Sequence, residues 1–346
     1  MRHLILLATT LLAMNAAQAA EGPLLVGTSL PTKGRQVAQL AFDGKADTSF
    51  RSERAVSDGD DITITLPAPR EVAAIDIVTG TPEGKDRLAF GVLEVSDDGR
   101  NFRHAAVFSE GHAHATDLGK AVAALRIRAT GSDGAALAVS EVVIAGLAQP
   151  EVRLVTRVQL HTETAPDARA FAKRAKELVD EFYPKLYAEF DTKDGPAPLT
   201  NIHLWFRAMD GVAHATNRNE IHISEKWVTK QSPDDYGMVV HELFHLVQAY
   251  TGGGEGWLTE GLADYVRHRR FEPQAVWAKP DPDKAKYTDA YKTTALFLEW
   301  LEARKPGLVL ALNATSRTRD PVREVFKRET GQDVDALWRD YAATLR

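Results

Sequence analysis

At Ala148-Gln149-Pro150 the patterning of this chain changes, and with it the architecture that can accommodate it. From about 61 to 146, short runs of strand character follow one another: DITITL, VAAIDIV, LAFGVLEVS, FRHAAVF, ALRIRAT and LAVSEVVIAG, with Asp97-Asp98-Gly99 as a turn. Strands at this spacing predict a β-sandwich. Beyond the change, helical apolar spacing takes over. Residues 167–190 predict a helix that Pro184 should kink or divide. NIHLWF (201–206) and EIHIS (220–224) alternate like strands. YGMVVHELFHLVQAYT, EGWLTEGLADYVRHRRF and YKTTALFLEWLEARK (291–305) read as helices, and two more around REVFKRE and VDALWRDYAATL close the chain. The expected fold is multidomain, an all-β sandwich over 20–147, a linker at 148–151 and an α+β domain over 152–346.

Composition fits two globular domains: 346 residues, 44% hydrophobic and 26% charged. The start, MRHLILLATTLLAMNAAQAAEG, combines a basic end, a short apolar run and the small-residue site Ala17-Gln18-Ala19, so residues 1–19 are read as a cleaved export signal. That run is shorter than the ~20 residues needed to span a bilayer, and no later stretch is apolar enough. Without cysteine, an exported fold relies on packing or metal, and the signal is not of the lipoprotein type. The expected location is periplasmic or secreted. A net charge of -6 argues against nucleic acid or an anionic membrane as the main partner. No oligomeric state is read from the sequence.

One helix carries chemistry. In VVHELFHLVQ (239–248), His241, Glu242 and His245 sit in an otherwise almost wholly apolar run. Residues four apart share a helix face, so both imidazoles can address one point while Glu242 projects about 100° away. Burying an ionised carboxylate without compensation costs several kcal/mol, which a divalent cation would offset. A catalytic zinc takes three protein ligands plus water. Gln248 and Thr251 stand where the metzincin pattern needs glycine and histidine, which excludes that class. The next helix offers WLTEGLAD, with Glu260 and Asp264 four apart, behind the glycine-rich turn TGGGEG. Counted at ~1.5 Å per residue from a turn near Gly253, His245 and Glu260 lie at the same height, so Glu260 can reach the metal. Asp264, one turn on, can then accept a proton from a ligand imidazole. Glu255, on the loop, is the competing third ligand.

Two resemblances follow. AFDGKADTSFRS (41–52), LEVSDDGRNF (93–102) and LRIRAT (125–130) resemble the discoidin-like, or coagulation-factor type C, domain. This implies a jelly-roll over most of 25–147 of a kind that often binds sugars. Sugar-binding versions usually offer an exposed Trp or Tyr, yet every Trp and Tyr of this chain lies beyond residue 180. Phe42, Phe50, Phe90, Phe102 and Phe108 remain, most of them expected in the core. The loop with Asp43 and Asp47 could hold a structural Ca²⁺ through its oxygens, although a solvated turn is the preferred reading. VVHELFHLVQ, WLTEGLADYVR and YKTTALFLEWL, with GVAHATNRNEIHIS upstream, resemble the basic secretory protein family of metallopeptidases over 152–346. That resemblance implies a zincin-like fold with glutamate as third ligand, carried here onto His241, His245 and Glu260.

The function expected is therefore an exported zinc endopeptidase in which Glu242 is general base and acid, acting on a peptide or protein and directed by the sandwich to glycans or glycoproteins. Tyr291 opens the family-like helix and is the first candidate for stabilising the oxyanion, with Tyr287 and His268 behind it. Strand 220–224 is expected as an exposed edge on which an extended substrate adds. His214 and His222 are expected to be loop or strand residues rather than ligands. Two alternatives remain: a catalytically silent binding protein on a peptidase scaffold, and a zinc hydrolase of another amide or ester.

Overall fold

The computed structural model describes residues 22–346 apart from 46, 148, 194, 217–218, 251–253 and 319. The signal at 1–19 and the turn centre at Gly253 thus lie outside the described residues. The chain divides into two compact units between Val155 and Thr156.

The first unit contains β1 (Leu24–Thr28), β2 (Phe50–Ala55), β3 (Asp61–Arg70), β4 (Ala74–Thr79), β5 (Gly91–Ser96), β6 (Arg103–Val107), β7 (His112–Thr116), β8 (Val122–Ala129), β9 (Ala136–Ile144) and β10 (Val152–Leu154). They form a six-stranded sheet, β10-β1-β3-β8-β5-β6, and a four-stranded one, β2-β9-β4-β7. Alternation explains the pairing: β3 buries Ile62, Ile64 and Leu66 and turns the residues between them outward, and β4 buries Ile75 and Ile77. Both sheets contribute to one core.

Three details of this unit differ from, or sharpen, the sequence reading. Val152–Leu154 pairs in parallel with β1 from Leu24↔Val152, so the unit runs through the expected linker to Val155; Val152 is buried in the sandwich core. Phe42, Phe50 and Phe108 are core, whereas Phe90 is 53% exposed and Phe102 lies under the Arg126 guanidinium at 4.1 Å. The Asp43 carboxylate accepts from the Thr48 hydroxyl (2.8 Å) and the Lys45 amide (3.1 Å), which closes the loop as a hydrogen-bonded turn; Asp47 is exposed.

The second unit runs β11 (Arg157–His161), α1 (Arg169–Phe190), β12 (Asn201–Arg207), β13 (Ala213–Thr216), β14 (Glu220–Ser224), α2 (Gly237–Gln248), α3 (Gly256–Val266), α4 (Tyr291–Glu302), α5 (Leu308–Ser316), α6 (Val322–Thr330) and α7 (Val334–Ala343). Its sheet has the order β11-β12-β14-β13, with only β13 antiparallel to its neighbour. The expected edge strand 220–224 is instead interior, held by β12 on one side and β13 on the other. The edge on that side of the sheet is β13, with β11 at the other; the short Ala-His-Ala-Thr segment of β13 carries too little alternation to announce a strand.

Helices α1 and α2 pack on this sheet, α1 against β11 and β12 and α2 against β13 and β14. Pro184 does not divide α1, which continues to Phe190. Both Pro184 and Asp180, whose carbonyl loses its helical partner, are on the exposed side, so water can satisfy that oxygen. Phe190 and Phe244 join α1 to α2 edge to face at 4.7 Å. The Arg317 guanidinium donates to the carbonyls of Phe190 (2.9 Å), Val247 (2.8 Å) and Gln248 (3.0 Å), binding the C-terminal ends of both helices. Helix α3 meets α4 closely at Gly261, where a Cβ would overlap Thr294. Glycine there keeps the helix carrying Glu260 and Asp264 tight against α4.

Candidate active site

Helix α2 is buried almost all round, and His241, Glu242 and His245 converge on one cleft. His241 and Glu242 are each only 7% exposed, so their partners decide what they can do. His241 Nε2 lies 3.2 Å from His245 Nε2, and Glu260 Oε2 lies 3.1 Å from the first and 3.5 Å from the second. Four ligands at zinc bond lengths of 2.0–2.1 Å on a tetrahedron stand about 3.3–3.4 Å apart, close to these three separations. Among the described residues, this trio is the grouping of three or more His, Cys, Asp or Glu whose donor atoms could share an ion.

The backs of the rings are fixed as well. His241 Nδ1 donates to Asp264 Oδ1 at 2.8 Å, and His245 Nδ1 donates to Gln248 Oε1 at 2.6 Å. Gln248 Nε2 in turn donates to the Thr259 carbonyl at 3.0 Å, which sets the amide's orientation. Both imidazoles are thereby held with their Nε2 atoms towards Glu260, where a bound metal or a proton can sit between nitrogen and carboxylate. Burial opposes charge on His241, yet its hydrogen bonds to Asp264 and Glu260 outweigh this and push its pKa up to about 9. Burial likewise opposes the Glu260 carboxylate, but bonds from His241 and His245 hold it down to about 2. An N₂O donor set of this kind fits zinc.

Glu242 projects beside the trio. Burial, reinforced by the nearby Glu260, raises its pKa against the pull of the two imidazoles and a bond from the Ala215 backbone on the edge strand. The cleft, of about 770 Å³, is lined by β13 residues, by the three potential ligands and by the start of α4. Asp235, Asp264 and Asp289 also line it, but each is occupied, with Arg267, His241 and the Lys286 amide respectively. Among the described residues Glu242 has no side-chain hydrogen-bond partner and takes one bond, from the Ala215 backbone.

Tyr291 stands at the cleft wall, 54% exposed, with its ring 6.1 Å from that of His241. The negative charge of Glu260, then burial, raises its hydroxyl's pKa. Ala290 and Tyr291 both have positive φ, +64° and +46°, a conformation that costs about 1–3 kcal/mol per residue and is concentrated at functional sites. The reserve candidates are placed elsewhere. Tyr287 is buried and donates to Asp335 (2.9 Å), while His268 bonds Glu299 and the Ala275 carbonyl and stacks on Trp277. Glu255, the competing ligand, is ion-paired with Arg323 at 2.6 Å. His222 lies in the interior strand, paired with Glu220, and His214 stacks on it at 5.0 Å from the edge strand.

Residues 157–341, more than half the chain, match the family BSP, described as "Peptidase of plants and bacteria". The chain belongs to that family. The sandwich of this BSP peptidase matches the F5/8 type C domain over 26–142. No curated protein matches the chain. Similar solved structures include CpGH89CBM32-5 from Clostridium perfringens in complex with GalNAc-beta-1,3-galactose, at 17% identity over 35% of this chain and 94% of that one, TM-score 0.30. Another is the family 32 carbohydrate-binding module of C. perfringens NanJ in complex with galactose, at 16% identity over 35% and 92%, TM-score 0.30. Both likenesses are confined to about a third of the BSP peptidase. Among the described residues no helix is long and apolar enough to cross a membrane.

Sequence reasoning missed Gln248 as the partner of His245. The signal is present in the sequence, since residues 245 and 248, three apart, share a helix face. Replacing Gln248 or Asp264 by alanine should weaken zinc binding about 10–100-fold while the chain stays folded, measured by competition with a chromophoric chelator. Unchanged affinity in both variants would contradict the orienting role.

Proposed function

We propose that this BSP peptidase is an exported, periplasmic or secreted, zinc-dependent endopeptidase, with His241, His245 and Glu260 as metal ligands. The observation carrying this reading is the three donor atoms 3.1–3.5 Å apart, with both histidines locked from behind and Glu242 beside them, bonded to the Ala215 backbone and to no side chain. A zinc ion bound there supplies Lewis acidity, lowering the pKa of a coordinated water towards ~7 and polarising a carbonyl.

The chain's own residues do the rest. Glu242 takes the proton from the attacking water and returns it to the leaving amine, a transfer its burial in the cleft protects from solvent. Tyr291 donates its hydroxyl to the oxygen that gains charge; its place on the cleft and the engagement of Tyr287 and His268 elsewhere support this. An extended substrate adds to the free edge of β13, whose Ala213–Ala215 line the cleft.

Removal of metal tests the reading. Full-length protein should cleave a diverse peptide pool, lose that activity on chelation and regain it with zinc. Cleavage that persists in the metal-free protein, or zinc binding without cleavage of any peptide, would overturn it, and cleavage of esters alone would favour another zinc hydrolase.

We assign the F5/8 type C domain a targeting role towards glycans or glycoproteins. Its exposed aromatic face is Phe90, which precedes β5 and packs beside Gly131. Phe90→Ala should abolish retention of the full-length protein on immobilised glycans and leave peptide cleavage unchanged. Failure of the native protein to be retained on any glycan surface would refute the assignment.

A further inference from the structure

A second, smaller cavity touches the active site and is not used by the chemistry described above. It holds about 240 Å³ and shares His245 with the catalytic cleft. The edge strand connects the two, since Ala213–Ala215 line the cleft and Thr216, the next residue of β13, lines the cavity. A peptide extended along β13 therefore passes from the reacting centre to the cavity within about one residue's rise of ~3.3 Å.

The lining is apolar for a specific reason. Tyr183, Tyr187 and Tyr250 present rings to it, and all three hydroxyls are already engaged. Tyr183 accepts from the Leu199 amide at 2.6 Å, Tyr187 donates to the Pro196 carbonyl at 2.7 Å, and Tyr250 donates to Asn313 Oδ1 at 2.9 Å. Leu199 and Leu246 fill out the wall. A charged side chain entering here would lose its hydration and find few free partners, whereas an apolar one would gain contact on several sides.

Size narrows the occupant further. A cavity of about 150 Å³ accepts benzene, and sites for whole small-molecule ligands run to about 300–1,000 Å³, so this cavity suits one large side chain. The Thr216 hydroxyl is buried without a hydrogen-bond partner among the described residues.

We infer that the cavity bounded by Tyr183, Tyr187, Leu199, Leu246, Tyr250 and Thr216 is the side-chain specificity pocket. It takes a large apolar or aromatic residue flanking the bond to be cleaved. The inference rests on the peptidase reading above. Ala197 lines the same cavity from a partly exposed loop, so its side chain can be enlarged without disturbing a metal ligand or Glu242.

Cleavage of a diverse peptide pool by zinc-loaded, full-length protein, read by mass spectrometry, tests it. Native protein should show one position beside the scissile bond enriched in Phe, Leu and Met. Ala197→Phe, with unchanged zinc content, should lower kcat/KM for those peptides at least about tenfold and leave peptides with alanine at that position nearly unaffected. Leu199→Ala, which widens the cavity, should shift preference towards bulkier residues. Cleavage without preference at any flanking position, a preference for charged residues, or an equal loss on all peptides in Ala197→Phe would overturn the pocket assignment while leaving the peptidase reading intact. Absence of any cleavage by the native protein would instead defeat the peptidase reading, and the pocket's role with it.

Discussion

Glu242→Gln is expected to lower kcat by about 10²–10⁴-fold while zinc content and KM stay close to those of the native protein. Glutamine retains the shape and the carbonyl acceptor that can keep the bond from the Ala215 backbone, so β13 should hold its position. What disappears is the ability to take a proton. The other carboxylates on the cleft do not replace it: Glu260 faces the two imidazoles, Asp264 is bonded to His241, Asp235 is paired with Arg267 and Asp289 accepts from the Lys286 amide. The variant is read by single-turnover cleavage at matched zinc loading. Native activity in Glu242→Gln would remove Glu242 from the chemistry, whereas a proportional loss of zinc and activity would make it a structural residue of the site.

The second large effect concerns Glu260. Glu260→Ala leaves two histidines facing each other across 3.2 Å with no anionic third donor, so bound zinc should fall from about one equivalent per chain to a small fraction. Stability should follow, because zinc at about a thousand times its dissociation constant stabilises the native state by about 4 kcal/mol, and each kcal/mol moves the midpoint of a domain this size by roughly 2–4 °C. Added zinc should therefore raise Tm in the native protein by roughly 10 °C and hardly move it in Glu260→Ala. Glu255→Ala serves as the comparison. Its loss breaks the pair with Arg323 and should leave zinc binding intact. The opposite pattern, zinc lost in Glu255→Ala and kept in Glu260→Ala, would reverse the ligand assignment.

Helical periodicity made much of this site legible. The four-residue spacing of His241 and His245 specified a shared face, and counting along α3 placed Glu260 opposite and Asp264 one turn beyond, where the structure has them. Each needed only one helix or one short turn to infer. Contacts between segments distant in sequence were harder to read. The pairing of Val152–Leu154 with β1 depends on a strand more than a hundred residues away, and nothing in three residues signals it. The same holds for β13, which displaces 220–224 from the edge through a four-residue strand rich in alanine. The isolation of Tyr287 and His268 from the cleft depends on Asp335, Glu299 and Trp277, partners that local patterning cannot identify. For Tyr291 the sequence located a helix start but not the left-handed backbone that precedes and includes it.

Anomalous diffraction at the zinc edge from crystals of the zinc-loaded protein tests the metal assignment most directly. The account predicts one strong peak within about 2.0–2.2 Å of His241 Nε2, His245 Nε2 and a Glu260 carboxylate oxygen. A peak coordinated by other residues, or none at this trio in zinc-saturated crystals, would contradict it.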